Sequence, residues 1–127
     1  MLDKKISMHN FRELKIWQEA MEITKLTFKL SKKFPSSEMY GLTSQINRSA
    51  VSIPSNIAEG AGRNSNKEFS QFLNIAMGSC FELETQIILS FEFNYIKKDD
   101  LESFVVKLNK LEKMINSLIS TLRKQIA

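Results

Sequence analysis

Apolar residues recur every three or four positions along four stretches of this chain, the period of helices with one buried face. The first stretch follows Asn10, which has Glu13 three residues on, as in a capping box. Leu14, Trp17, Met21 and Phe28 mark one stripe, Ile16, Ala20, Ile23, Leu30 and Phe34 widen it, and Pro35 ends it. The second stretch runs from Glu38 to Glu59 on Leu42, Ile46, Ala50, Val51, Ile53, Ile57 and Ala58. Pro54 lies inside it, with no N–H to donate and a ring that crowds the Ala50 carbonyl, so a kink or break is expected near Ile53. Ser49, Ser52 and Ser55 are placed to satisfy the freed backbone groups, and Gly60 and Gly62 to stop the helix. The third stretch opens at Ser65 with Glu68 completing a capping box, and continues through Phe69, Phe72, Leu73, Ala76, Cys80, Leu83, Ile87, Phe91 and Tyr95. The fourth opens at Asp99-Asp100-Leu101-Glu102, acids at the positive end of the helix dipole. Leu101, Phe104, Leu108, Leu111, Ile115, Leu118 and Leu122 then form a bundle seam.

Short links between helices make neighbours antiparallel. The expected fold is therefore all-α: an antiparallel up-down-up-down four-helix bundle whose second helix is kinked or broken near Pro54. Residues 10–127 form its single domain, after an N-terminal extension of residues 1–9 in which Met8 is an alternative start. Four glycines and two prolines are too few for the frequent turns of an all-β fold. On the third helix Ile75, Met77, Phe81, Ile88 and Phe93 lie off the main stripe. No helix is central in a four-helix bundle, so apolar residues around most of one circumference imply self-association.

Cys80 is the one cysteine and His9 the one histidine. That excludes an intramolecular disulfide and a zinc finger and argues against a histidine–cysteine dyad. Met1–Asn10 has two lysines with no apolar run behind them, unlike a signal peptide. No window approaches the ~18 apolar residues of a membrane span. A cytoplasmic protein with no cofactor, no metal and no catalytic residues is expected.

The stretch from Tyr40 to Gly60, with Ser52-Ile53-Pro54-Ser55-Asn56-Ile57-Ala58-Glu59-Gly60 as its core, carries the strongest motif. It resembles the bacterial four-helix-bundle proteins encoded within intervening sequences of 23S ribosomal RNA genes. Phe11–Ala20, Phe34–Glu38 and Gly78–Gln86 share that resemblance, which covers about residues 10–122. It implies a homopentamer and kinship with the pentameric accessory proteins of diversity-generating retroelements, which engage RNA and a reverse transcriptase. It does not imply an activity, because the family's own function is not established.

Three sets of residues are candidates for function. Gln45, Arg48, Ser52, Pro54, Asn56, Glu59, Gly60, Glu82 and Glu84 form the structural motif, and Gln45, Arg48, Asn56 and one glutamate are expected to close a buried network around Pro54. Glu82 and Glu84 face different ways on a helix, but either can meet Glu59 across helices as an acid pair. The loop Gly60–Ser65 leads into a helix N-terminus, where Arg63 and Lys67 are placed for phosphate.

Charge supplies the third set. The net charge is +4, and residues 1–35 and 96–127 hold the basic excess, with eight and seven cationic side chains against four acids each. The first and last helices are neighbours in a closed bundle, so Arg12, Lys15, Lys25, Lys29, Lys32, Lys107, Lys110, Lys113 and Lys124 merge into one positive surface. Oligomerisation multiplies that charge, and affinity for nucleic acid rises with the phosphates neutralised. The expectation is a non-enzymatic, pentameric bundle binding structured RNA, with a nucleic-acid-handling protein as a possible partner. The alternative is a protein-interaction scaffold with no nucleic-acid role.

Overall fold

The computed structural model describes residues 10–126, so the extension with Met8 and His9 lies outside the described residues. A 3-10 turn, Phe11–Glu13, precedes α1 (Lys15–Ser31), and a second, Ser36–Glu38, precedes α2 (Leu42–Ala61). α3 (Asn66–Glu92) and α4 (Lys98–Ile126) complete the chain. Each helix packs on its neighbour in sequence, and α1 on α4, closing a four-helix bundle. Contacts fix the directions. Ser31 meets Asn47 at 3.0 Å, Lys33 meets Asp100 at 3.7 Å and Asn66 meets Gln125 at 2.8 Å, each joining one helix's end to its neighbour's start. The core is continuous, with Ile46, Ile53, Phe69, Leu83, Phe104 and Ile115 all fully enclosed.

Several local expectations change. The Asn10 carboxamide does accept an N–H, that of Arg12 at 3.1 Å, but it caps the 3-10 turn rather than α1. Extended backbone at Leu14 separates the two. α1 ends at Ser31, short of Pro35, and its buried face is Ile16, Ala20, Ile23, Thr27 and Leu30. Trp17 and Met21 lie at the rim of the core and Phe28 is exposed. The wider stripe was the core and the narrower one its edge.

α2 begins at Leu42, not Glu38, because the Glu38 carboxylate stands before it and accepts the Leu42 N–H at 3.0 Å. It then runs through Pro54 to Ala61 as one continuous helix, so of the kink or break expected near Ile53 the break does not occur. The serines near Pro54 are not what satisfies the Ala50 carbonyl. The Thr24 hydroxyl of α1 lies 3.0 Å from it, and 2.9 Å from the Ala20 carbonyl of its own helix.

Gly60 is not a stop. It is buried within α2, and a Cβ there would sit 2.7 Å from the Phe72 Cβ and 3.0 Å from the Phe69 ring. The glycine lets the end of α2 approach the start of α3. Gly62 ends the helix instead.

Ser65 caps α3 as expected, accepting the Glu68 N–H at 3.1 Å. The helix stops at Glu92 rather than Tyr95. Asn94 takes a left-handed φ of 65°, and the Tyr95 and Asn94 N–H groups bond back to Ser90 and Phe91 at 2.8 and 2.9 Å. That paired pattern is a Schellman stop, with asparagine where glycine is commoner.

Candidate functional site

Gln45, Arg48 and Ser52 are spaced three and four residues apart on α2, so they share one face, and that face turns toward Glu82 and Gln86 of α3. Together with Ser49 they line a polar cleft of about 440 Å³. The motif residues thus converge, but Gln45, Arg48 and Glu82 are exposed rather than locked in a buried network. The hydrogen bonds lie deeper. Ser52 and Ser79 hydroxyls meet at 2.8 Å, and the Asn56 amide donates to the Ser52 carbonyl at 2.8 Å and to its hydroxyl at 3.0 Å. Asn56 is the one member of the expected network that joins it, and Ser79 is a member that sequence spacing does not reveal.

The acid pair also differs from expectation. Glu59 turns outward and bonds Arg63, one turn on, at 2.9 Å. The partner of Glu84 is Glu112 of α4, across a groove of about 420 Å³ shared with Phe81, Ile88 and Asn109. Burial, then hydrogen bonding to Glu84 and the charge of Glu84, push the Glu112 carboxyl up to about 7. The same surroundings act on Cys80, whose thiol is pushed up to about 12 by burial first and then by Glu112 and Glu84. Such a thiol stays protonated at neutral pH and is a poor nucleophile. Among the described residues no group of three histidine, cysteine, aspartate or glutamate side chains comes together to hold a metal ion.

In the Gly62–Ser65 loop, Arg63 is committed internally. Its guanidinium pairs with Glu59 and lies 4.7 Å from the centre of the Phe72 ring. Lys67 is exposed in the first turn of α3. Arg12 is likewise engaged, 5.5 Å over the Phe11 ring.

The grooves between α1 and α4 gather Lys15, Lys25, Lys29, Lys107 and Lys113. Lys25, Lys29 and Lys107 converge on one groove, where Glu19 and Glu22 join them. Glu22 pairs with Lys25 at 3.3 Å, and Glu19 with Lys15 at 3.7 Å. Lys29, Lys32, Lys107 and Lys110 are exposed and form no ion pair among the described residues. A second groove on the same side, about 510 Å³, is floored by Leu14, Met114 and Leu118 and edged by Lys15 and Lys113.

Sequence reasoning missed some of the surface. Tyr40, at the turn before α2, is almost wholly exposed and was not anticipated, whereas Ile75 and Phe81 on α3 and Phe93 at its end, expected off the main stripe, are each more than half exposed. Of the off-stripe residues on α3, only Met77 is buried. No described helix is long and apolar enough to cross a membrane.

Comparison with curated proteins finds no match. Among solved structures, a protein of unknown function from the S23 ribosomal protein family of Bacteroides thetaiotaomicron VPI-5482, determined at 1.70 Å resolution, superposes with a TM-score of 0.76 at 27% identity. The match covers 82% of this chain and 97% of that one. The family model described as 23S rRNA-intervening sequence protein matches residues 12–117, the whole bundle but for its two ends, and the chain belongs to that family.

Proposed function

We propose that this chain is a non-enzymatic, self-associating bundle, pentameric as its family resemblance implies, that binds structured RNA through its α1–α4 side. The observation that carries this reading is the set of exposed lysines of α1, its C-cap and α4 that form no ion pair among the described residues: Lys29, Lys32, Lys107 and Lys110, of which Lys29 and Lys107 share the α1–α4 groove. Lys25 and Lys67 extend the set, and Arg12 and Arg63 contribute less because they are held by Phe11 and by Glu59 with Phe72. Phosphate contacts of this kind give affinity with little sequence preference. No catalytic role is assigned: burial, with the charges of Glu112 and Glu84, holds the Cys80 thiol protonated.

Fluorescence anisotropy with a labelled RNA hairpin tests the proposal. Binding at 50 mM salt should weaken by on the order of 100-fold at 200 mM if about four phosphates are neutralised. Changing Lys29, Lys32, Lys107 and Lys110 to glutamine should remove most of the affinity and flatten that dependence. Undetectable binding at 50 mM salt overturns the reading.

The exposed apolar residues of α3 favour a second reading, a scaffold for a partner protein. It predicts no RNA affinity and a protein complex that survives nuclease treatment.

A further inference from the structure

The exposed apolar face of α3 raises the question of what covers it. Resting on the self-association proposed above, we infer that copies of this chain join head to tail: the outer face of α3 in one copy seats in the groove between α1 and α4 of the next. Three observations converge on this pairing.

The first is exposure. Ile75, Phe81 and Phe93 are each more than half exposed along the outer side of α3, and Ile88 and Leu89 are exposed between them. These residues form one contiguous face and not scattered surface positions.

The second is Gly78, near the centre of that face. A Cβ built there meets nothing within 4 Å, so no contact inside the chain requires a glycine. Glycine within a helix lowers helix stability. Its presence is accounted for by a close approach from outside, as at Gly60 from inside.

The third is charge. From residue 69 to residue 92, α3 carries three glutamates and no basic residue, and Glu82 and Glu92 are exposed on the apolar face. Setting two such faces against each other would oppose like charges. The groove between α1 and α4 offers the complement. Its floor is apolar, at Leu14, Met114 and Leu118, and its edges are Lys113, which forms no ion pair among the described residues, and Lys15, which also reaches Glu19 at 3.7 Å. The α3 face and the α1–α4 groove are different surfaces, so their contact is heterologous and its repetition closes a ring or extends a filament. Lys15 and Lys113 then belong to the contact between copies, leaving Lys29, Lys32, Lys107 and Lys110 for RNA.

Light scattering after gel filtration, with circular dichroism to follow helicity, tests the assignment on the full chain. Wild type should have a mass several times 14.6 kDa. Gly78→Gln, whose Cβ meets no neighbour in its own chain, and the double variant Lys15→Glu/Lys113→Glu should each fall to the monomer mass with helicity retained. Adding Glu82→Lys/Glu92→Lys to the lysine variant should restore the assembly. An assembled Gly78→Gln overturns the inference, as does a Gly78→Gln monomer beside an assembled lysine variant, which would place α3 against α3. A monomeric wild type would overturn the self-association reading beneath it.

Discussion

The Thr24 hydroxyl lies between two acceptors, the Ala20 carbonyl of its own helix at 2.9 Å and the Ala50 carbonyl of α2 at 3.0 Å, and Ala50 is the residue whose carbonyl is left without a helical donor by Pro54. In a regular helix that carbonyl would take the N–H four residues on, and proline has none. α1 brings a hydroxyl donor to that carbonyl, which ties α1 to α2 where Pro54 has no N–H to give. Thr24→Val keeps the shape and removes the donor, leaving the carbonyl of the buried Ala50 unpaired, at a cost of about 1–3 kcal/mol. In a Pro54→Ala background the backbone N–H returns and the same substitution should cost much less. Urea denaturation of the four proteins in that cycle measures the coupling. Additive effects would show that Thr24 does not serve the proline.

Gly60 and Gly78 are both helical glycines with opposite surroundings. Gly60→Ala drives a methyl into Phe72 and Phe69, at 2.7 and 3.0 Å, with backbone and ring both fixed in the core. Overpacking of this kind costs about 1–3 kcal/mol, more than the helix propensity of alanine returns. Gly78→Ala meets nothing and should stabilise the isolated fold by about 0.5–1 kcal/mol. Thermal unfolding of the two variants at concentrations low enough to keep the chain monomeric should therefore move in opposite directions.

The four helices were legible because each hides a complete apolar stripe, and the Ser65 cap was legible because it is a local, side-chain-to-backbone device. What the sequence left hidden depends on a second helix. Gly60 reads as a stop until Phe72 is seen beside it, and Pro54 reads as a break until Thr24 is seen across from it. The candidate site divides the same way. Gln45, Arg48, Ser52 and Glu82 do share one cleft, as helical spacing and adjacency allow. The partner of Glu84 was invisible because Glu112 lies on the seam helix among solvent-facing lysines.

That pairing makes stability depend on pH. The Glu112 carboxyl is raised from 4.5 to about 7, so the folded state favours its protonated form. Below pH 4.5 both folded and unfolded chains hold the proton, and its contribution is complete. Between 4.5 and about 7 the unfolded chain ionises first, and stability declines across that window. Glu112→Gln should therefore stabilise at pH 8, by on the order of 1 kcal/mol once solvent screening is allowed for, and do nothing at pH 4. Carboxyl NMR titration gives the pKa directly, and an ordinary value near 4.5 would remove the basis for the prediction.

The Tyr95 hydroxyl, in the link between α3 and α4, donates to the Glu38 carboxylate at 2.7 Å, while the other Glu38 oxygen accepts the first N–H of α2. The Tyr95 ring also packs on Phe34, 5.3 Å between centres, so one side chain fastens the links at both ends of the α1–α2 connection. Both bonds favour the ionised carboxylate, Tyr95 more than Leu42, and hold the Glu38 carboxyl below its ordinary value. A depressed acid stabilises the fold above its unfolded pKa, and that contribution disappears as pH falls through the folded value. Tyr95→Phe keeps the ring contact and removes the hydroxyl. Its melting temperature should fall below wild type at pH 7 and converge with wild type in acid, once Glu38 is protonated in both. A deficit that persists unchanged into acid would mean that the hydroxyl's partner is not the charged carboxylate.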